Sequence, residues 1–205
     1  MSLPSILVLI SGSGSNLQAL IDNQGSDYKI THVISNKKAA YGLERAAKAS
    51  ISTTVHNIVP YKKKHLEDAT AARPDFDREL AEKIKKLNPD LVVCAGWMHI
   101  LSSECLRPLR EAGIPLINLH PALPGAFDGA HAIDRAYDAF QKGEITKTGC
   151  MIHWVIEEVD RGEPLLIKEI EMKEGESLED LENRIHSVEH VAIVEGTKLA
   201  LAKKT

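Results

Sequence analysis

Short, mostly apolar runs recur along this chain, each followed by a longer segment of helical period, and few architectures accept that alternation. The runs are Ile6–Ile10, Ile30–Ser35, Thr53–His56, Leu91–Ala95 and Leu116–Leu119. They are apolar at nearly every position rather than at every second one, so both faces need cover, which parallel strands joined by crossover helices provide. Helices fit between them at about Asn16–Asn23, Gly42–Ala49, Asp75–Leu87, Ser102–Arg110 and Ala130–Lys142.

The second half changes style. Gly149–Ile156 and Pro164–Met172 are extended segments joined by Glu157 to Glu163, a charged turn containing Asp160-Arg161-Gly162, and this pattern predicts a hairpin at the end of the sheet. A last helix opens at Ser177, with Asp180 three residues on as in a capping box. Its Leu178, Leu181, Ile185, Val188, Ala192 and Leu199 recur at spacings of three, four and seven, one stripe for packing against the body of the domain. The fold expected is α/β: a three-layer, mostly parallel, Rossmann-like sheet ending in an antiparallel hairpin and a long C-terminal helix. With 205 residues and no Gly/Ser/Pro-rich linker, the chain reads as a single domain.

The balance of 25 basic against 29 acidic residues, a formal net charge of −4, gives no electrostatic reason to expect nucleic acid as a partner. No membrane partner is expected either, since Ile6–Ile10 lacks a basic leader and is too short for a signal core or a span. Cys94, Cys105 and Cys150 are widely spaced in apolar or helical contexts, which suggests neither a disulfide framework nor a metal site and fits a reducing cytoplasm. Small-molecule substrates are the expected partners, with the chain acting as a monomer or homodimer.

The densest chemical signal is the segment from Pro115 to Gly125, where an apolar strand ends in two polar side chains and then breaks at proline. Asn118 and His120 are two apart and share a face of that strand. An amide donor and a proton-exchanging ring at a strand's carboxyl end, where ligands collect in open α/β sheets, suit a reaction that stabilises a developing oxyanion while moving a proton. A second signal, Ser11-Gly12-Ser13-Gly14-Ser15-Asn16-Leu17, follows the first strand and opens the first helix, where glycines and free N–H groups suit a phosphate. As a dinucleotide fingerprint the match is poor, because Leu17 stands at the third glycine and Ser35-Asn36-Lys37 offers no ribose-binding carboxylate. A tight β–α turn without any ligand fits the same residues almost as well.

Taken jointly, Leu9 to Ala19, Ser35-Asn36-Lys37, Gly42 to Ala46, Asp77 to Leu80, Ala95 to Met98, Asn118 to Pro121, Glu158-Val159-Asp160 and Glu189-His190 resemble the phosphoribosylglycinamide formyltransferases. The likeness runs in order over nearly the whole length. Phe127-Asp128-Gly129 and the segment from Glu157 to Pro164 resemble the fungal form more than the bacterial one. The resemblance implies a formyltransferase fold and a metal-free reaction of de novo purine biosynthesis, in which the amine of glycinamide ribonucleotide takes the formyl group of its co-substrate, 10-formyltetrahydrofolate. It further implies that about residues 1–110 serve the ribonucleotide and about 90–175 the folate and the chemistry.

By this resemblance Asn118 donates its amide to the formyl oxygen. His120 stabilises the oxyanion as a cation or relays the proton from attacking amine to leaving nitrogen, and Asp160 holds a water or takes the proton. On the residues alone, Asp160 is one charge among Glu157, Glu158, Arg161 and Glu163. Facing His120, its carboxylate is expected to favour the imidazolium and raise the histidine pKa. Gly14, Ser15 and Asn16 are expected to cradle the ribonucleotide phosphate with Arg73 as a charged partner, and Glu189 to grip the ribose hydroxyls. Trp97, Met98, Ile100 and Leu101, with the loop leading to Asp160, are expected along the folate, although on apolar character alone Trp97 and Met98 read as core. His99 departs from the arginine that many relatives carry. His131 is a candidate for a supporting role.

Three other readings compete. His186-Ser187-Val188-Glu189-His190 spells the inverted zinc-protease signature, but too few residues follow His190 to supply a third ligand from a later helix. Methionyl-tRNA formyltransferases and formyltetrahydrofolate hydrolases resemble the same Asn, His and Asp set, each with a further domain not expected here. A non-enzymatic nucleotide-binding module would keep the glycine turn and have no use for Asn118, His120 and Asp160 converging.

Overall fold

The computed structural model describes residues 2–68 and 70–203. Its strands are β1 (Ser5–Ile10), β2 (Lys29–Ser35), β3 (Ser52–Val55), β4 (Leu91–Cys94), β5 (Leu116–His120), β6 (Lys147–Trp154) and β7 (Pro164–Glu171). The helices are α1 (Ser15–Asp22), α2 (Gly42–Lys48), α3 (Val59–Lys64), α4 (Ala72–Leu87), α5 (Ser103–Glu111), α6 (Ala132–Gln141) and α7 (Leu178–Lys203). The strands are ordered β3-β2-β1-β4-β5-β6-β7, the mostly parallel α/β sheet with an antiparallel end that the sequence pattern implies. By compactness the chain divides into two units, with the boundary between Leu116 and Ile117.

In the first unit β1 pairs in parallel with both β2 and β4, and β2 pairs in parallel with β3. Every residue from Ile6 to Ile10 and from Leu91 to Val93 is fully buried, which is why these strands carry no polar alternation; each such side chain contributes about 1.5–3 kcal/mol by leaving water. At the head of α1, Gly14 takes a left-handed conformation (φ 72) that glycine adopts freely. A Cβ on Gly14 would lie 2.6 Å from Gly42 Cα, and one on Gly42 would lie 2.4 Å from Ile10 Cδ1, so the starts of α1 and α2 touch through backbone. Helix α3 was not expected, for a physical reason: none of its residues is buried, and Pro60 with Lys62, Lys63 and Lys64 forms no apolar stripe. Helix α4 begins three residues before the expected Asp75, with Pro74 in a first turn where its missing N–H has no partner to lose.

In the second unit β5 pairs antiparallel with β6, and β6 antiparallel with β7, forming the expected hairpin. Strand β6 starts two residues earlier than expected and also ends two earlier, leaving Ile156 exposed beyond it. The capping box of α7 forms as expected: Ser177 Oγ accepts the Asp180 N–H at 3.1 Å and donates to Asp180 Oδ2 at 2.7 Å. Helix α7 lies against β6 and β7 so closely that a Cβ on Gly196 would meet Ile152 Cγ1 at 2.6 Å. The stripe keeps Leu181, Ile185 and Ala192, but its last member fails. Leu199 is exposed, and Gly196, Thr197 and Ala200 are buried instead, so the packed face moves round the helix toward its C-terminal end.

Candidate active site

Strand register assembles the centre of the second unit. Asn118 stands opposite His153 and His120 opposite Met151 on the antiparallel β5–β6 pair. The Asn118 Nδ2 donates to His153 Nε2 at 3.2 Å and to Asp160 Oδ1 at 3.3 Å. His120 Nδ1 lies 3.3 Å from Asp160 Oδ2, and His153 Nε2 lies 3.5 Å from Asp160 Oδ1. A main-chain donor completes the carboxylate's shell, with the Gly129 N–H on Asp160 Oδ2 at 2.8 Å. The three residues expected to do the chemistry therefore meet.

The hairpin turn selects Asp160 from its charged neighbours. It adopts a left-handed backbone (φ 55), a conformation that aspartate tolerates better than most residues. Its side chain is only 9% exposed, while Glu157, Glu158, Arg161 and Glu163 stand in solvent. Two residues on, Gly162 passes so close to the end of β6 that a Cβ would lie 1.6 Å from the Trp154 carbonyl oxygen.

Burial decides the charge states. It lowers the His120 pKa below the ordinary histidine value, and the opposing pull of the Asp160 carboxylate does not make up the loss. The rise expected for His120 is thus overturned: taking an imidazolium out of water costs more than one partly screened carboxylate returns. For Asp160, burial alone would raise the pKa, but the adjoining His153 ring and the Gly129 N–H, which donates at 2.8 Å, outweigh it and hold the carboxyl below its usual range. A neutral imidazole thus faces a carboxylate. The ring hydrogen-bonds the Phe127 carbonyl, which only accepts, and Nε2 is buried without a hydrogen-bond partner among the described residues, so the proton is on Nδ1, 3.3 Å from Asp160 Oδ2, and the lone pair on Nε2. His153 Nδ1 lies 2.9 Å from the Trp154 carbonyl, which only accepts, so that nitrogen carries a proton, and Nε2 lies against the Asn118 amide at 3.2 Å.

His153 was not singled out from the sequence. Its signal is the one that marks Asn118 and His120: a polar side chain inside a buried strand, here after Cys150, Met151 and Ile152.

Comparison with known proteins places the chain among its relatives. A family model for formyl transferase matches residues 5–197. Over 197 residues the chain is 56% identical to phosphoribosylglycinamide formyltransferase of Schizosaccharomyces pombe, covering 94% of each chain. Over 204 residues it is 50% identical to the Saccharomyces cerevisiae protein of the same name, again covering 94% of each. The crystal structure of glycinamide ribonucleotide transformylase 1 from Symbiobacterium toebii aligns with a TM-score of 0.84 at 33% identity, covering 98% of this chain and 89% of that one. The chain belongs to the formyl transferase family.

In the first unit of this formyl transferase, Gly14 and Asn16 are buried and Ser15 half-buried at the head of α1. The turn is held by the Gly42 N–H on Gly12 O (3.1 Å) and by Arg45 Nε on Ser13 O (2.9 Å). Met98 N–H donates to Ser11 Oγ at 2.7 Å, tying the 97–101 segment to the same turn. Met98 is 74% and Ile100 59% exposed, so they are not core, whereas Leu101 is. Trp97 is half-buried, its Nε1 without a partner among the described residues. Arg73 lies beside that segment, its Nη2 donating to Ile100 O and its Nε 3.5 Å from Asp77 Oδ2. Asp77 also accepts from His99 Nε2 at 3.0 Å and from the Ser102 N–H at 3.1 Å; burial alone would raise its pKa, and these bonds hold it low instead. His99 thus faces inward onto a carboxylate.

In the second unit Glu189 is 4% exposed on α7, hence no solvated helix charge. Its carboxylate is felt by Cys150, whose thiol is pushed up to about 12 by burial first and by Glu189 second. His131 opens α6 with its ring 82% exposed and 3.6 Å from Asp134 Oδ2, outside the cluster around Asp160. Among the described residues no group of three or more His, Cys, Asp or Glu is placed to hold a metal ion, and no helix is long and apolar enough to cross a membrane.

Proposed function

We propose that this formyl transferase moves the formyl group of 10-formyltetrahydrofolate onto the amine of glycinamide ribonucleotide in de novo purine biosynthesis, acting in the cytoplasm as one formyltransferase domain. The names of the yeast relatives support the acceptor. One observation carries the chemistry: His120 Nδ1 lies 3.3 Å from Asp160 Oδ2 and its buried Nε2 has no partner among the described residues, beside the amide of Asn118.

The amine attacks the formyl carbon, and the carbonyl electrons move onto oxygen. Asn118, whose N–H groups are held only at 3.2–3.3 Å, exchanges one of them to the stronger acceptor, the oxyanion. A donor so placed contributes about 3–4 kcal/mol to the transition state. His120 Nε2 takes the proton of the attacking nitrogen, and Asp160 stabilises the imidazolium through Nδ1–H as the carboxylate of a catalytic triad does. The proton then passes to the folate nitrogen as its bond to carbon breaks. Gly14, Ser15 and Asn16 hold the phosphate and Glu189 the ribose hydroxyls, with Arg73 as charged partner; Trp97, Met98, Ile100 and Leu101 line the folate.

The test is a formyl-transfer assay with glycinamide ribonucleotide and, as control acceptor, methionyl-tRNA. Transfer to the ribonucleotide alone is expected, with a loss of about 10²–10⁴-fold in His120→Ala while ribonucleotide binding survives. Transfer to the tRNA instead, or wild-type turnover in His120→Ala, overturns the reading.

A further inference from the structure

The segment 121–131 joins β5 to α6 and, through the Gly129 N–H, reaches the carboxylate of Asp160. Its backbone is unusual. Gly125, Phe127, Gly129 and His131 have positive φ values of 77, 52, 81 and 57, and for a bulky side chain such as Phe127 this is a strained conformation that persists only where the surroundings fix it. Arg135, in the first turn of α6, does the fixing. Its Nη2 donates to the carbonyls of Phe127 (2.7 Å), Asp128 (2.7 Å) and Ala130 (2.9 Å), and its Nε faces His131 O at 3.4 Å. Its guanidinium carbon lies 5.8 Å from the Phe127 ring centroid. Two of those carbonyls flank Gly129. All three carbonyls converge on Nη2 and share its two N–H groups, and the planar guanidinium, bonded through Nε and lying over the Phe127 ring, holds that nitrogen in place as a flexible lysine ammonium does not.

We propose that Arg135 is a positioning residue for formyl transfer: by gathering the carbonyls of Phe127, Asp128 and Ala130 it fixes the Gly129 N–H on the carboxylate that faces His120. This rests on the formyl-transfer reading above. Arg161 steadies the same segment from the hairpin, with Nη2 2.5 Å from Asp128 Oδ2. The charged and titratable groups that act on His120 are Asp160, His153 and Asp128. When the segment loosens, burial is the first thing His120 loses.

Arg135→Ala and Arg135→Lys test the proposal through two readouts, steady-state formyl transfer and the His120 titration followed by NMR without substrate. In Arg135→Ala kcat is expected to fall about 10²-fold, less in Arg135→Lys, with the ribonucleotide KM changed by less than about twofold. The His120 titration is expected to move up toward that of a free imidazole as water enters beside Asp160, His153 and Asp128. Unchanged kcat and titration in Arg135→Ala overturn the proposal. So does a fall in kcat that tracks a lowered Tm while the titration stays put, the mark of a merely structural arginine. If Arg135→Ala does not fold, Arg135→Lys carries the same two readouts. A wild-type chain that transfers no formyl group overturns the functional reading, whereas the titration judges the role of Arg135 by itself.

Discussion

His120 is the side chain whose proton decides what the centre does. Burial keeps its pKa under the ordinary 6.5, so the ring is neutral at pH 7 and serves as a base. The acid limb of kcat/KM, which reports the free enzyme, is expected below pH 6.5. Asp160→Asn removes a charge that raises this pKa, so the limb should move to lower pH while kcat falls by about 10²-fold or more for want of a counter-charge. A limb that moves upward in that variant contradicts the arrangement. Asn118→Ala should lower kcat by about 10²–10³-fold with ribonucleotide affinity intact, measured by turnover and by direct binding. Legibility at this scale followed distance along the chain. Asn118 and His120 were readable because two residues on one strand share a face. Asp160 was singled out only by resemblance, since nothing local separates it from Glu158 or Glu163 until the turn folds its side chain inward. His153 carries the same local signal, a polar side chain in a buried strand, but its partners are set by the register of β5 on β6, which no local pattern reveals.

Secondary-structure elements position these groups by close approach of backbone, and two glycines expose the dependence. A Cβ on Gly162 meets the Trp154 carbonyl oxygen at 1.6 Å, backbone against backbone, so the turn two residues beyond Asp160 must shift. Gly162→Ala is expected to cost about 1–3 kcal/mol of stability and to lower kcat by about 10–10²-fold, with ribonucleotide KM little changed. Gly42→Ala acts in the first unit, where a Cβ meets Ile10 Cδ1 at 2.4 Å and Gly14 Cα at 3.2 Å. It should displace the glycine turn, raising ribonucleotide KM while saturating kcat survives. Kinetics on the pair check this, and a common kcat defect in both would refute the division of labour. Strands were legible because complete burial forces an apolar residue at almost every position, as in β1 and β4. Helix α3 was not, because a helix that buries nothing leaves no period to read. At the far end of α7 the buried face is set by what the helix packs against, which the spacing of its own apolar residues does not record.

Across the whole molecule, the buried titratable groups sum to a pH dependence of stability whose sign can be worked out. His32, His56 and His120 all have pKa values lowered first by burial; His56 also bonds Phe76 O at 2.8 Å and lies 4.2 Å from the Phe76 ring. Each folded value is below the unfolded 6.5, so between the two the unfolded chain binds more protons and stability rises with pH. That stability is lost as pH falls from about 6.5, each protonation requiring a buried or, at His32, half-buried ring to charge. Asp77 and Asp160 act lower on the scale. Their folded values lie below 3.8, so their contribution is present above that pH and is lost as pH falls through the folded value. Acid should therefore weaken the molecule in two stages, histidines first and carboxylates second. Urea unfolding at a series of pH values reads this directly, and the thiols offer a second reporter. Cys94 and Cys150 are pushed up to about 12 and all three cysteines are buried, so thiol labelling marks opening in either compact unit. His56→Gln keeps an amide donor for Phe76 O and cannot titrate, so its urea midpoint should fall less steeply from about pH 6.5 to 5 than that of the wild type. A wild-type midpoint that climbs over the same interval would mean these rings are charged in the folded state, and His120 could then not begin the reaction as a base.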